Sequence, residues 1–477
     1  MVKFSFKALI LCSFLLVAWS CQNDDYENVN DEVKNLVDEA YVEHISPDME
    51  KVRDYVPENI VVAHRGSTFW TPEETEAAYR WAREIGADYL ECDMQITKDG
   101  VVLALHDDNL SRTTNIDQVY HGQVPSTRVQ YYINIGYSQE EAKAKYEQDK
   151  KNFLPNYASY YTYEELLKLD AGSWFNAANP NQARSGFSAH HQYISSLEDL
   201  IMITKGYKLK RGGNGERIFS YGQKTGEKVK GLSGESDLIL YNFQYEKDDV
   251  DNGNRPGIYI EFKESWLNPS NFPEIVYNEL DHLGMNVATQ PEADNAPYYI
   301  GGKVNIGNTN GKVILQTFSL ESLAGVAQKF EGKVPMCFLL WLGNGGTDLK
   351  YDDPLGYASF INLAVKNKAH IIGPSISGAP NNYPDMDKPW QAYLIKKAGM
   401  LNHPYSFDTK DQMSKYYGDY NFGNTQNVYE PPYLDGMFTN RSEMTLQFYI
   451  DKGVRNPAAS QVVPDPMQLL DNLGYTK

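Results

Sequence analysis

The chain of 477 residues carries 44 lysines and arginines against 63 aspartates and glutamates, a formal charge of −19, with 42% hydrophobic and 22% charged residues. That mix excludes collagen-like, wholly disordered and polytopic membrane chains. The acidity excludes a protein that coats nucleic acid, which needs a basic footprint.

Residues 1–20 read as an export signal. Lys3 and Lys7 precede a mostly apolar run over 8–19, too short for the ~20 residues of a membrane helix. Ala18-Trp19-Ser20-Cys21 ends the run with small residues before a cysteine. This resembles a bacterial lipoprotein signal, which implies that Cys21 is lipidated and starts a mature protein anchored to a membrane after export, most naturally the outer membrane. The alternatives are an ordinary secretory signal or an uncleaved anchor. Residues 21–58 form a polar, acidic tether and N-terminal segment. Cys92 and Cys337 sit in apolar, strand-like runs and read as small buried hydrophobes rather than a disulfide framework.

From residue 59 short apolar runs alternate with amphipathic stretches. Strands are predicted over 60–63, 89–94, 101–105, 258–262, 313–317, 336–342, 370–372 and 436–439. Helices are predicted over 73–85, 163–169, 197–203, 273–283, 320–330, 357–366 and 389–398. Such alternation points to parallel α/β, and eight strands favour a closed TIM (β/α)8-type barrel over 59–450 with a C-terminal tail over 451–477. Three stretches break the rhythm and read as loop insertions, near 115–160, 205–256 and 286–312. The second holds eight basic residues over 205–230 against Glu216 and Glu227. It is either a solvated hairpin or a surface for anionic lipid or polyol phosphate.

The chemistry concentrates between Val61 and Thr114. An apolar strand ends in His64-Arg65-Gly66, and strand C-termini line the site of a barrel. Thr71-Pro72-Glu73-Glu74 has the form of a helix cap. In Glu91-Cys92-Asp93 the two carboxylates share one face of an apolar strand. They repel, and to stay ionised they need a cation or paired bases, a metal being the favoured answer. An Asp99-Gly100 turn and a hairpin-like return would bring His106 close to that pair. Downstream, Glu261 and Lys263 share a strand face, either as a buried ion pair or as part of the same site. Oxygen-only ligands Glu91, Asp93 and Glu261 favour Ca²⁺ or Mg²⁺. His64 and His106 suit paired acid–base work, and Arg65 and Lys263 suit a phosphate. The constellation reads as metal-assisted phosphodiester cleavage.

His64-Arg65-Gly66, Pro72-Glu73-Glu74-Thr75, Glu91-x-Asp93, Lys98-Asp99-Gly100, His106-Asp107 and Glu261-x-Lys263 resemble the glycerophosphodiester phosphodiesterase family, as do Gln316-Thr317-Phe318 and Asp435-Gly436-Met437-Phe438-Thr439. The resemblance implies a TIM barrel and hydrolysis of glycerophosphodiesters to an alcohol and glycerol 3-phosphate. It further implies His64 and His106 as the acid–base pair, Glu91, Asp93 and Glu261 as ligands, Arg65 as a phosphate contact and Glu73 as a supporting residue. Three family positions differ: Glu74, the run Tyr405-Ser406-Phe407-Asp408, and Asn440 after Thr439. Two other readings stay open, a non-catalytic lipoprotein that binds phosphorylated polyols and a related barrel phospholipase acting on whole lipids.

Overall fold

A computed structural model describes residues 33–188, 191–231, 234–263, 268–341, 350–419 and 429–477. The export signal, Cys21 and the acidic tract behind it lie outside the described residues. No helix among the described residues is long and apolar enough to cross a membrane.

Eight parallel strands follow one another around a barrel: β1 (Ile60–Ala63), β2 (Tyr89–Ile96), β3 (Gly257–Phe262), β4 (Val313–Thr317), β5 (Met336–Leu339), β6 (Ile371–Gly373), β7 (Leu401–Asn402) and β8 (Gly436–Thr439). β8 pairs in parallel with β1, Ile60 opposite Gly436. The seam between β8 and the segment running on from β7 is held by scattered bonds, among them Asp435 N–H to Asn402 O at 2.8 Å and Phe407 N–H to Phe438 O at 2.8 Å. Eight helices alternate with the strands: α1 (Glu76–Ile85), α2 (Leu197–Thr204), α3 (Phe272–His282), α4 (Leu320–Phe330), α5 (Pro354–Lys366), α6 (Pro389–Lys397), α7 (Lys410–Tyr417) and α8 (Ser442–Asp451). The expected (β/α)8 barrel is therefore what the chain forms.

The alternation of side chains along each strand sorts two cores. Leu90, Cys92, Ile258, Ile260, Val313 and Leu315 pack outward into the helix layer. Tyr89, Tyr259, Ile314, Cys337 and Phe438 fill the barrel's interior instead. Counting up the inward face of β2 from Tyr89, the next two positions are Glu91 and Asp93. The interior therefore changes from apolar to acidic toward the strands' C-terminal ends.

Three expectations are corrected. Residues 101–105 do not supply a barrel strand: Val102–Ala104 runs antiparallel to β2, Met94 opposite Ala104, as the hairpin that returns His106. The missing eighth strand is β7, whose two residues are too short for a periodic signal. The helix expected over 73–85 starts at Glu76, because Thr75 rather than Thr71 caps it and Glu74 takes a left-handed φ of 59°.

Nor are two of the insertions loops. Residues 116–152 carry three helices, Ile116–Tyr120, Arg128–Asn134 and Gln139–Asn152, and the strands Phe219–Gly231 and Gly234–Phe243 pair antiparallel. They share one tyrosine-rich core with Tyr131, Tyr132, Tyr163 and Tyr241 buried in it. Within that strand pair, Lys224 and Lys228 both pair with Asp237. The segment after α8 packs back on the barrel, with Leu470, Leu473 and Tyr475 joining the outer core.

Candidate active site

At the C-terminal ends of the strands a cavity of about 360 Å³ is lined by His64, Arg65, Glu91, His106, Glu261 and Lys263 on one side. Phe318, Leu339, Trp341, Tyr383, Tyr405 and Phe438 line the other. The volume falls in the ~300–1,000 Å³ range of small-molecule sites. The aromatic side is a set of crossed rings: Trp341 meets Tyr383 at 5.1 Å and 89°, and Phe318 meets Tyr405 at 5.6 Å and 88°.

The strand register places the carboxylates. Asp93 on β2 stands opposite Glu261 on β3, which stands opposite Gln316 on β4, all on the inward face. Glu91 is one inward position below Asp93. Ligand oxygens of Glu91, Asp93 and Glu261 all lie within 4.8 Å of one another. Gln316 Nε2 donates to Glu91 Oε1 at 2.9 Å, and the Arg65 backbone N–H donates to Glu91 Oε2 at 2.7 Å. That backbone contact requires Arg65 to hold a left-handed φ of 50°, a strain of ~1–3 kcal/mol typical of functional sites. Gly66 follows at φ 81°, where a Cβ would come within 2.5 Å of Ala78 Cβ.

Arg65 and Lys263 were expected to serve a phosphate; both also neutralise carboxylates. Arg65 Nε lies 3.1 Å from Asp93 Oδ2, and Lys263 Nζ lies 2.9 Å from Glu261 Oε1 and 3.6 Å from Asp93 Oδ1. If all four ionised, the buried carboxyl groups Glu74, Glu91, Asp93 and Glu261 would outnumber these two cations by two charges. Burial, then Asp93, push Glu91 well above the usual carboxylate range, and burial pushes Glu261 up to about 8. Against its own burial, Asp93 is held below that range by Lys263, His106 and Arg65. Asp93 Oδ2 and Gln316 Oε1 are buried without a hydrogen-bond partner. Oxygen-only donors, a carboxylate set that outnumbers its cations and the unbonded Gln316 Oε1 beside it fit a hard divalent cation.

The two histidines end different strands. His64 closes β1 and its Nδ1 lies 2.7 Å from Asn440 Oδ1, just past β8. Burial and the neighbouring Arg65 push its pKa down to about 3. His106 closes the hairpin, and its Nδ1 lies 2.5 Å from Asp107 Oδ1. Burial lowers its pKa too, but Asp93 and Asp107 oppose that. Arg112 binds Asp107 through Nε at 2.5 Å and Glu73 through Nη2 at 2.6 Å. Glu73 in turn lies 3.6 Å from Arg65 Nη1, so the residue expected to support the site ties His106's partner to Arg65. Glu74 does not reach the cavity. Its Oε1 accepts from the Asp93 backbone N–H at 3.0 Å and its Oε2 from the Tyr79 hydroxyl.

The structure thus brings His64, His106, Glu91, Asp93, Glu261, Arg65, Lys263 and Glu73 to one strand-end face. It adds roles the motifs did not announce, for Asp107 and Arg112 behind His106, for Asn440 and Asp408 behind His64, and for Trp341 and Tyr383 in the aromatic wall. An Arg five residues after an Asp carries no periodicity that marks it as a partner, and Asn440, with Asp408 behind it, meets His64 only when the barrel closes.

The chain is similar to known proteins over part of its length. Residues 64–248 match the model of the Glycerophosphoryl diester phosphodiesterase family. A glycerophosphodiester phosphodiesterase of Bacillus subtilis (strain 168) is 33% identical over 142 residues, 30% of this chain and 35% of that protein. One of Caldanaerobacter subterraneus subsp. tengcongensis is 50% identical over 56 residues, 12% of this chain and 23% of that protein. The match thus spans about a third or less of the length of these relatives. The crystal structure of an Agrobacterium tumefaciens glycerophosphodiester phosphodiesterase superposes with a TM-score of 0.42 at 17% identity, covering 81% of this chain and 97% of that one. Over residues 64–248, this chain is thus similar to the glycerophosphoryl diester phosphodiesterase family.

Proposed function

We propose that this chain hydrolyses glycerophosphodiesters to an alcohol and glycerol 3-phosphate with a divalent ion, Ca²⁺ or Mg²⁺, held by Glu91, Asp93 and Glu261. The observation that carries the reading is one cavity lined by two histidines, two cations and Glu91 and Glu261, with Asp93 clustered on those two carboxylates. A binding lipoprotein needs no pair of imidazoles from different strands, and a 360 Å³ cavity suits a small diester better than a whole lipid.

The cation, when bound, supplies Lewis-acid stabilisation of charge on the phosphoryl oxygens. Arg65 and Lys263 line the same side and pair with phosphate oxygens by charge-assisted hydrogen bonds. Displacement at phosphorus needs a base beside the nucleophile and an acid beside the leaving oxygen. One imidazole cannot stand at both apices, so His64 takes one and His106 the other, each with Nδ1 already engaged and Nε2 free to move a proton. The nucleophile is water or a neighbouring hydroxyl of the substrate, which would form a cyclic phosphate first. The aromatic wall borders the remaining substrate atoms.

The test is a screen of glycerophosphodiesters with and without chelator. Release of glycerol 3-phosphate that stops on chelation and returns with Ca²⁺ or Mg²⁺ supports the reading. Full turnover after exhaustive chelation overturns the metal, and no turnover of any glycerophosphodiester overturns the activity. The same reading places the protein on a membrane after export through lipidated Cys21. Cys21→Ser should release it from membrane fractions; a variant that stays membrane-bound places the anchor elsewhere.

A further inference from the structure

His64 and His106 line the same cavity, but the groups behind them differ in kind. His106 Nδ1 faces a carboxylate, Asp107. His64 Nδ1 faces an amide, Asn440, and an amide can present either an acceptor or a donor. What decides its orientation is the next residue along. Asn440 Nδ2 lies 2.9 Å from Asp408 Oδ1. The other Asp408 oxygen already accepts from Asn381 Nδ2 at 3.1 Å. A carboxylate that receives two amide donors is an acceptor on both oxygens, so the Asn440 atom facing it must be the NH₂ group. The Asn440 carbonyl oxygen is thereby turned to His64, and it also accepts from Thr68 Oγ1 at 3.0 Å. A carbonyl 2.7 Å from His64 Nδ1 requires the proton on Nδ1.

Resting on the phosphodiesterase reading, we propose that Asp408, acting through Asn440, is a positioning residue that fixes His64 in the Nδ1–H tautomer and so presents Nε2 as a proton acceptor to the cavity. Neither Asp408 nor Asn440 lines the cavity. The barrel's closing seam supplies both: Asp408 follows β7, Asn440 follows β8, and Phe407 bonds Phe438 between them. The neutral amide leaves His64 without the ionic partner that His106 has. His64 therefore begins as the proton acceptor, and His106, backed by Asp107 and Arg112, is the group that stabilises an added proton.

The experiment exchanges the two partners. Long-range ¹H–¹⁵N correlation on chelated protein with labelled histidine reads the tautomer directly, with His64→Gln assigning the signal. Wild type should carry the proton on Nδ1. In Asp408→Asn the Asn440 amide loses its reason to face one way, so the Nδ1–H population should fall. kcat should drop at least ~10-fold and as far as ~10⁴-fold, the loss known for a triad histidine left in the wrong tautomer, with KM little changed. Asn440→Asp sets two carboxylates face to face and should also lose rate. The double variant Asp408→Asn/Asn440→Asp rebuilds the chain with donor and acceptor exchanged, and should recover both the tautomer and most of kcat.

A wild-type proton on Nε2 overturns the proposal, as does an Asp408→Asn variant with unchanged tautomer and kcat, or a double variant no better than the worse single. Should one single variant fail to fold, the wild-type tautomer and the double variant still decide it. Should wild type hydrolyse no glycerophosphodiester, the proposed activity fails, while the tautomer measurement judges this proposal separately.

Discussion

Asp88 and Asp93 lie five residues apart along one strand edge, are both buried in the same barrel, and have opposite fates. Asp88, at the N-terminal end, has every oxygen answered. Oδ2 accepts from Val61 N–H at 2.8 Å and from Arg455 Nη1 at 2.5 Å, and Oδ1 accepts from the Tyr299 hydroxyl at 2.9 Å. Asp93, at the C-terminal end, has an oxygen without a hydrogen bond and stands among other carboxylates that outnumber their cations. The first arrangement is what a buried charge needs to hold a fold together. The second is energetically incomplete, and its incompleteness is the capacity to take a cation and a phosphate.

The comparison is broken hardest at the reacting groups. His106→Ala, and separately His64→Ala, should lower kcat on a diester with a poor leaving group by ~10²–10⁴-fold. Combined, they should cost far less than the product of the two, because both serve one displacement. A folded, metal-loaded His106→Ala enzyme with near-full kcat ends the acid–base assignment.

Next in size is the N-terminal end. Arg455→Ala leaves Asp88 buried without its ionic partner and should cost ~3–5 kcal/mol in chemical denaturation, with kcat of the remaining folded protein unchanged. Glu91→Gln should do the reverse, abolishing metal binding by calorimetry while leaving metal-free stability equal or higher, since it removes one member of a repelling set. If both substitutions lower stability alike, the two aspartate environments are not distinct.

Smaller still is Gln316→Leu. It removes the amide that orients Glu91 Oε1 and should weaken metal affinity ~10–100-fold, as outer partners of ligands do. The last prediction concerns pH. Glu261 is pushed up to about 8 in the folded, metal-free protein, so the folded state holds a proton there that the unfolded chain releases near the ordinary carboxylate pKa. Stability in chelator should therefore fall as pH rises through that window. Saturating metal should flatten the fall, seen as thermal midpoints between pH 5 and 9. A metal-free protein whose midpoint rises over that span contradicts the excess-charge account.

Seven of the eight barrel strands were legible as apolar runs, since parallel strands covered on both faces carry continuous hydrophobic sequence. The two-residue β7 was not, and neither were α7 and α8, whose polar faces blur the helical period. The inward pairing of Glu91 with Asp93 follows from the two-residue period of a strand alone. Thr71-Pro72-Glu73-Glu74 misled because local cap chemistry fits it well; contact with Asp93 N–H and Tyr79 from elsewhere in the fold prevailed over it.

By itself, then, the chain's local pattern determined the barrel class, the residue types at the strand ends and the oxygen-only donor set, because periodicity and side-chain chemistry act within a few residues. Tertiary structure alone decided that Arg65 and Lys263 divide their charge between carboxylates and cavity, that the tyrosine-rich insertions build a second core, and that Asp408 reaches His64 through Asn440. Those outcomes depend on groups up to 376 residues apart, and closure of the barrel is what brings them within hydrogen-bonding distance.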